Sequence, residues 1–209
     1  MEDDALRVWL CEIPDPVDEH ELKRDMESLP AWRRKEADAF RFPVDKMQNV
    51  KAYLLLCRGL REQYGIIDQP RFGYGENGKP YLTDHPQIHF NLSHCRKGVI
   101  CAIGDSPVGC DIEAIPDGLD SDLLRACFST TEQEDILHAD NPRIEFARLW
   151  TRKEALLKLH GIGLIDSLPA LLASPLADGV SFHTEVHGQA KFAYTICKKI
   201  RIKIIEKNQ

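Results

Sequence analysis

His89-Phe-Asn-Leu-Ser93, Val99-Ile-Cys-Ala-Ile103 and Val108-Gly-Cys-Asp-Ile-Glu113 are three short apolar runs broken by Cys95-Arg-Lys-Gly98 and Ser106-Pro107. Runs of this length bounded by turn residues read as strands. Upstream, residues 5–13 alternate weakly up to Pro14, with Leu6, Val8 and Leu10 on one face, which predicts a first strand. Helices are predicted over 18–29 and over Ala31 to Phe40. A long one is expected from Lys46 to about Tyr64, capped by Asp45, with Val50, Tyr53, Leu54, Cys57 and Leu60 as its apolar stripe. The passage Gly73-Tyr-Gly-Glu-Asn-Gly-Lys-Pro80 is turn-rich. Downstream, Ser129-Thr-Thr-Glu132 has the spacing of a capping box opening a helix to about His138. A further helix runs from about Arg143 to His160 and stops at Gly161; strands follow near Val180–Val186 and Phe192–Ile205. Strand, helices, paired strands: this order repeats loosely across Ser106-Pro107. The expected fold is therefore α+β and pseudo-duplicated, with lobes 1–105 and 106–209 and a site between them.

The chain has 209 residues, of which 43% are hydrophobic and 29% charged, an ordinary globular composition. At about 150 residues per domain this is one large unit or two small ones joined. Such a chain buries roughly 70% of its unfolded surface and can build a core without disulfides. The acidic start Met1-Glu-Asp-Asp is followed by no long apolar run, so no signal peptide is expected, and no run of membrane-spanning length occurs. Seven cysteines without a CxxC pair, mostly beside aliphatic residues, read as reduced buried thiols of a cytoplasmic protein. With 27 Lys+Arg against 33 Asp+Glu, the net charge of −6 argues against non-specific nucleic-acid binding. That charge is unevenly spread: residues 105–140 hold ten acids against Arg125 alone, so this stretch carries −9 and the remainder +3.

Four short segments offer chemistry. In Gly109-Cys-Asp111-Ile-Glu113, strand periodicity puts both carboxylates on one face, where they repel unless a cation or proton lies between them. Such a pair suits Mg²⁺, which takes one or two carboxylates plus waters and substrate phosphates; a solvated acidic edge strand is the plainer reading. In Trp150-Thr-Arg-Lys153-Glu154-Ala-Leu-Leu-Lys158, Glu154 and Lys158 lie one helical turn apart, as in a surface ion pair or as a third carboxylate beside a phosphate-binding lysine. Phe90-Asn-Leu-Ser93-His94 offers a hydroxyl and an imidazole at a strand end, without the G-x-S-x-G frame of a serine hydrolase. Gly78-Lys79-Pro80 presents one lysine on a turn.

Taken in order, these four segments resemble the signatures of the 4′-phosphopantetheinyl transferases, specifically the larger surfactin-synthetase-type class. The resemblance is strongest from about Gly78 to Leu164. It implies a two-lobed monomer that moves the phosphopantetheine arm of coenzyme A onto a serine of an apo acyl or peptidyl carrier protein, releasing 3′,5′-ADP. It also implies Mg²⁺ held by Asp111, Glu113 and Glu154, with Glu154 accepting the serine proton directly or through a water. Lys158 would steady the α-phosphate, and Lys79, Ser93 and His94 would contact the nucleotide and its 3′-phosphate. Neither nucleic acid nor membrane is an expected partner. A non-catalytic coenzyme A or nucleotide-binding module is the alternative, using the same lysines. Glu132 is already explained as a helix cap.

One position departs from the family's pattern: Gln48 stands where an arginine usually meets the nucleotide, with Lys46, Lys51 or Arg33-Arg34-Lys35 as possible substitutes or simply as a solvated face. The alternating Lys199-Ile-Arg-Ile-Lys203 stretch reads as a protected sheet edge or a docking face for an acidic carrier.

Overall fold

The computed structural model describes residues 6–163, 165, 167–189 and 191–200. Its elements run β1 (Arg7–Glu12), α1 (Glu19–Ser28), α2 (Ala31–Asp38), α3 (Pro43–Tyr64), β2 (Phe72–Tyr74), β3 (Pro80–Leu82), β4 (His89–Cys95), β5 (Gly98–Gly104) and β6 (Val108–Ala114). Then follow α4 (Ser121–Cys127), α5 (Thr130–His138), α6 (Pro142–His160), two short 3₁₀ segments (Leu168–Ala173 and Pro175–Ala177), β7 (Val180–His187) and β8 (Phe192–Lys199). The class is α+β, as expected.

Two antiparallel three-stranded sheets, ordered β1-β5-β4 and β6-β8-β7, form the centre, and β2-β3 is a separate hairpin. The alternation of β5 explains their stacking. Val99, Cys101 and Ile103 face α3, where Met47, Val50, Leu56 and Leu60 complete one core. Ile100 and Ala102 face the other way and pack against Cys110, Ile112, Phe192 and Ile196 of the second sheet. The far side of that sheet offers Cys197 to Ala155, Leu156 and Leu159 of α6. The layers are therefore helix, sheet, sheet, helix, and β5 is buried along its whole length because both its faces are covered.

The helix ends follow local chemistry. Ser129 and Glu132 form the expected capping box. Gly161 ends α6 in the left-handed conformation (φ 65°), which glycine adopts without a Cβ penalty. Asp45, expected as the cap of α3, is not: that helix starts at Pro43, whose fixed φ and missing N–H suit the first helical position, with Phe42 preceding it. Asp45 sits within the first turn, where a carboxylate interacts favourably with the helix dipole. Neither the β2-β3 hairpin nor α4 was anticipated. The first is only three residues per strand, and the second is a seven-residue helix capped by Asp120, which accepts from Asp122 N (2.7 Å) and Leu123 N (3.2 Å). All seven cysteines are free thiols. The described part of the last strand, β8, runs between β6 and β7, so it is not a sheet edge; residues 201–205 of the expected strand lie outside the described residues.

Gly109 sets the distance between β6 and α6. A Cβ placed there would lie 2.0 Å from the Ala155 carbonyl oxygen and 2.6 Å from the Leu159 nitrogen, so only a glycine admits the helix backbone this close. Gly109→Ala is expected to destabilise the protein by about 3 kcal/mol or more in denaturant unfolding, at the upper end of overpacking costs. Gly118→Ala, where a Cβ meets nothing within 4 Å, should be close to neutral.

Candidate active site

The close approach at Gly109 brings two periodicities into register. Residues 109, 111 and 113 share one face of β6, and Trp150, Glu154 and Lys158 repeat every four residues along α6. Asp111 is 2% exposed, and its Oδ1 accepts from Lys158 Nζ at 2.6 Å and from Ser93 Oγ at 2.8 Å. Lys158 Nζ also donates to Ser93 Oγ at 2.8 Å, closing a triangle between β4, β6 and α6. β4 and β6 are tied a second time where Asn91 Oδ1 accepts the Cys110 backbone N–H at 2.7 Å. Ser93 and Asn91, two residues apart, thus bind the two sheets together through their side chains.

The charges respond to this crowding. Burial first, then the Asp111 and Glu154 carboxylates, push the Glu113 carboxyl up to about 7, against opposing help from the Trp150 indole N–H and Lys158. Burial and Asp111 also raise Glu154, with Lys158 opposing. For Lys158 burial pulls downward, but the Asp111 charge and hydrogen bond outweigh it and the ammonium form is favoured. His94 is accessible at the rim, yet partial desolvation and the Lys158 charge lower its pKa despite Asp45.

Of the expected site residues, Asp111, Glu113, Glu154, Lys158 and Ser93 come together, with His94 beside them. Among the described residues no three His, Cys, Asp or Glu side chains, the expected Asp111, Glu113 and Glu154 included, are grouped so that together they could hold a metal ion. An open site remains chemically reasonable, because Mg²⁺ keeps several waters and needs only one or two carboxylates. Asp111 Oδ2 is buried without a hydrogen-bond partner, and burial together with the Asp111 charge raises both Glu113 and Glu154, a donor set that a divalent cation fits.

Lys79 is placed otherwise than expected. Its Nζ donates to the carbonyls of Lys158 (2.6 Å), Val108 (3.1 Å) and Leu159 (3.1 Å), so all three ammonium donors already face backbone oxygens. Beside it opens a cleft of about 500 Å³ whose walls include Pro80, Tyr81, Phe90, His160 and Ile162. Gln48 is buried. Of the cations considered as its substitutes, Lys46 is engaged with Asp38, Lys51 with Glu21 and Asp25, and Arg33 with Glu36 and the Asn49 carbonyl. Arg34 caps the end of α1 through the Met26, Glu27 and Leu29 carbonyls.

Lys153 is a participant that the motif reading left without a role. It is fully buried, and its Nζ donates to Glu132 Oε2 (2.9 Å) and the Leu168 carbonyl (2.7 Å). Glu132 is thereby both cap and counter-ion. The visible sign was a lysine set among Leu149, Leu156 and Leu157, on the helix face where an apolar residue would be expected.

Residues 107–204 match the model of the 4′-phosphopantetheinyl transferase superfamily. The chain is 34% identical over 171 residues to 4′-phosphopantetheinyl transferase psf-1 of Bacillus pumilus, covering 78% of this chain and 73% of that protein. It is 32% identical over 167 residues to 4′-phosphopantetheinyl transferase Sfp of Bacillus subtilis (strain 168), with the same two coverages. Similarity to 4′-phosphopantetheinyl transferase AcpT of Escherichia coli (strain K12) is 41% over 96 residues, or 44% of this chain and 49% of that one. The chain belongs to the 4′-phosphopantetheinyl transferase superfamily, and its similarity along most of its length is to the surfactin-type members.

Because Glu113 has a raised pKa, the folded chain holds more protons than the unfolded one between the ordinary value of 4.5 and about 7. Stability without divalent cations is therefore expected to fall as pH rises through that window. Thermal melts across the window check this. Glu113→Gln should flatten the slope, and Mg²⁺ added above pH 7 should raise the melting temperature of the wild type.

Proposed function

We propose that this transferase uses Mg²⁺ and coenzyme A to convert an apo acyl or peptidyl carrier protein to its holo form. The carrying observation is the buried Asp111, held by Ser93 and Lys158 through one oxygen while the other has no partner. Asp111, Glu113 and Glu154 would hold the ion. When bound, it polarises phosphoryl oxygens and offsets charge developing on the leaving phosphate.

The chain's own residues supply the rest. Lys158, kept cationic by its neighbours, steadies the α-phosphate of the leaving 3′,5′-ADP. Ser93 and His94 contact the nucleotide and its 3′-phosphate, whose charge would favour the imidazolium that burial and the Lys158 charge disfavour. The carrier serine oxygen forms its bond to the β-phosphorus as the bond to the α-phosphate oxygen breaks. Its proton passes to Glu154, directly or through a water.

The two lobes are 1–105 and 106–209, with the site on the seam where β4 meets β6 and α6. Both sides of that seam come from one polypeptide, which supports action as a monomer. No described helix is long and apolar enough to cross a membrane, and the seven free thiols accord with a reducing cytoplasm. The acidic charge balance supports protein and coenzyme partners over nucleic acid.

Mass spectrometry of apo-carrier proteins incubated with coenzyme A, with and without Mg²⁺, tests the proposal. An arm-sized mass increase is expected only with the metal. Coenzyme A binding without modification of any carrier would instead indicate a binding module. Asp111→Ala should lower turnover by about 100-fold or more, on the scale of losing an electrostatic transition-state contact. Asp111→Asn, which keeps the shape, should fold normally and show a comparable loss; retained turnover in both would refute the metal assignment.

A further inference from the structure

The end of α6 that carries Lys158 is held from the other half of the chain. A helix leaves its last four carbonyls without intrahelical partners. In α6 the Gly161 and Ile162 backbone N–H groups reach back to Lys158 and Leu157. The carbonyls of Lys158 and Leu159 are met by Lys79 Nζ, and the Gly161 carbonyl by Asn77 Nδ2 at 3.0 Å. Asn77 and Lys79 sit on the β2-β3 turn, shaped by Gly78 in the left-handed region (φ 79°) and by the Gly75 N–H to Lys79 carbonyl bond. The stem of Lys79 packs against Gly161: a Cβ there would lie 3.3 Å from Lys79 Cδ. A positive charge at a helix C-terminus also interacts favourably with the helix dipole.

The third acceptor of Lys79 gives the arrangement a catalytic meaning. Val108, whose carbonyl takes the remaining N–H, is the first residue of β6. One ammonium group therefore joins the start of the strand bearing Asp111 to the last turn of the helix bearing Lys158. The Asp111–Lys158 contact of 2.6 Å spans the same two elements a few residues away. We infer that Lys79 is a positioning residue: together with Asn77 it caps α6 from the opposite half and sets Lys158 against Asp111, instead of contacting the nucleotide phosphate. This rests on the transferase reading above and adds a residue that acts through Lys158.

The test uses Lys79→Met and Asn77→Ala in the full chain, with coenzyme A and 3′-dephospho-coenzyme A as donors. The wild type, assayed alongside, reports on the transferase reading itself. For Lys79→Met, kcat should fall about 10- to 100-fold with both donors, the scale on which small misplacements of catalytic groups act. KM for either donor should change by less than about twofold, since no ground-state contact is lost. Asn77→Ala should lower kcat in the same direction by a smaller factor, and its single exposed hydrogen bond makes it the variant that decides if Lys79→Met fails to fold. A rise in KM for coenzyme A that disappears with the dephospho donor would identify a phosphate contact and overturn the inference. Unchanged kcat in both folded variants would overturn it as well.

Discussion

Asp111 is a carboxylate in a place where a carboxylate is costly. It is almost wholly buried, and its stability there depends on Lys158 and Ser93, which arrive from a helix in one half and a strand in the other. Removing one partner of a buried pair commonly costs about 3–5 kcal/mol, because the remaining charge is left without compensation. The surrounding architecture serves this contact. Gly109 lets α6 approach, Asn91 holds β4 to the edge of β6, and the alternation of β5 stacks the sheets so that this edge lies at the seam.

Three lysines around α6 show how context assigns one chemistry to different work. Lys158 remains partly accessible and is paired with a buried carboxylate. Lys153 is sealed inside, neutralised by Glu132 and over the Phe128 ring, joining the cap of α5 to the segment after α6. Lys79 spends its donors on carbonyls, and burial lowers its pKa. The concentration of acids around β6 has a similar logic. Burial first, and then the Asp111 charge, raises Glu113 and Glu154, which sets this cluster apart from the more basic remainder of the chain.

Much of this was legible along the chain. The stacked strands β4, β5 and β6 follow from short apolar runs between turn residues, and the α5 capping box and the Gly161 stop are local patterns with local causes. Asp111 and Glu113 share a face because strands repeat every two residues; Glu154 and Lys158 do so because helices repeat every 3.6. The start of α3 was misplaced because Pro43 outranked Asp45 as the helix-initiating residue. The hairpin and α4 were missed because three- and seven-residue elements carry too little periodicity to stand out.

Sequence alone determined the family, the class of fold and which carboxylates and lysine share a face, since all of these depend on residue type and spacing over a few turns or strands. Only the tertiary structure decided what each side chain does with its hydrogen bonds. Lys79 and Lys158 are both motif lysines, and nothing local separates them. One meets three carbonyls and the other a buried carboxylate because residues far apart along the chain are packed together. Long-range packing sets which donors are already spent, and so which remain for a substrate.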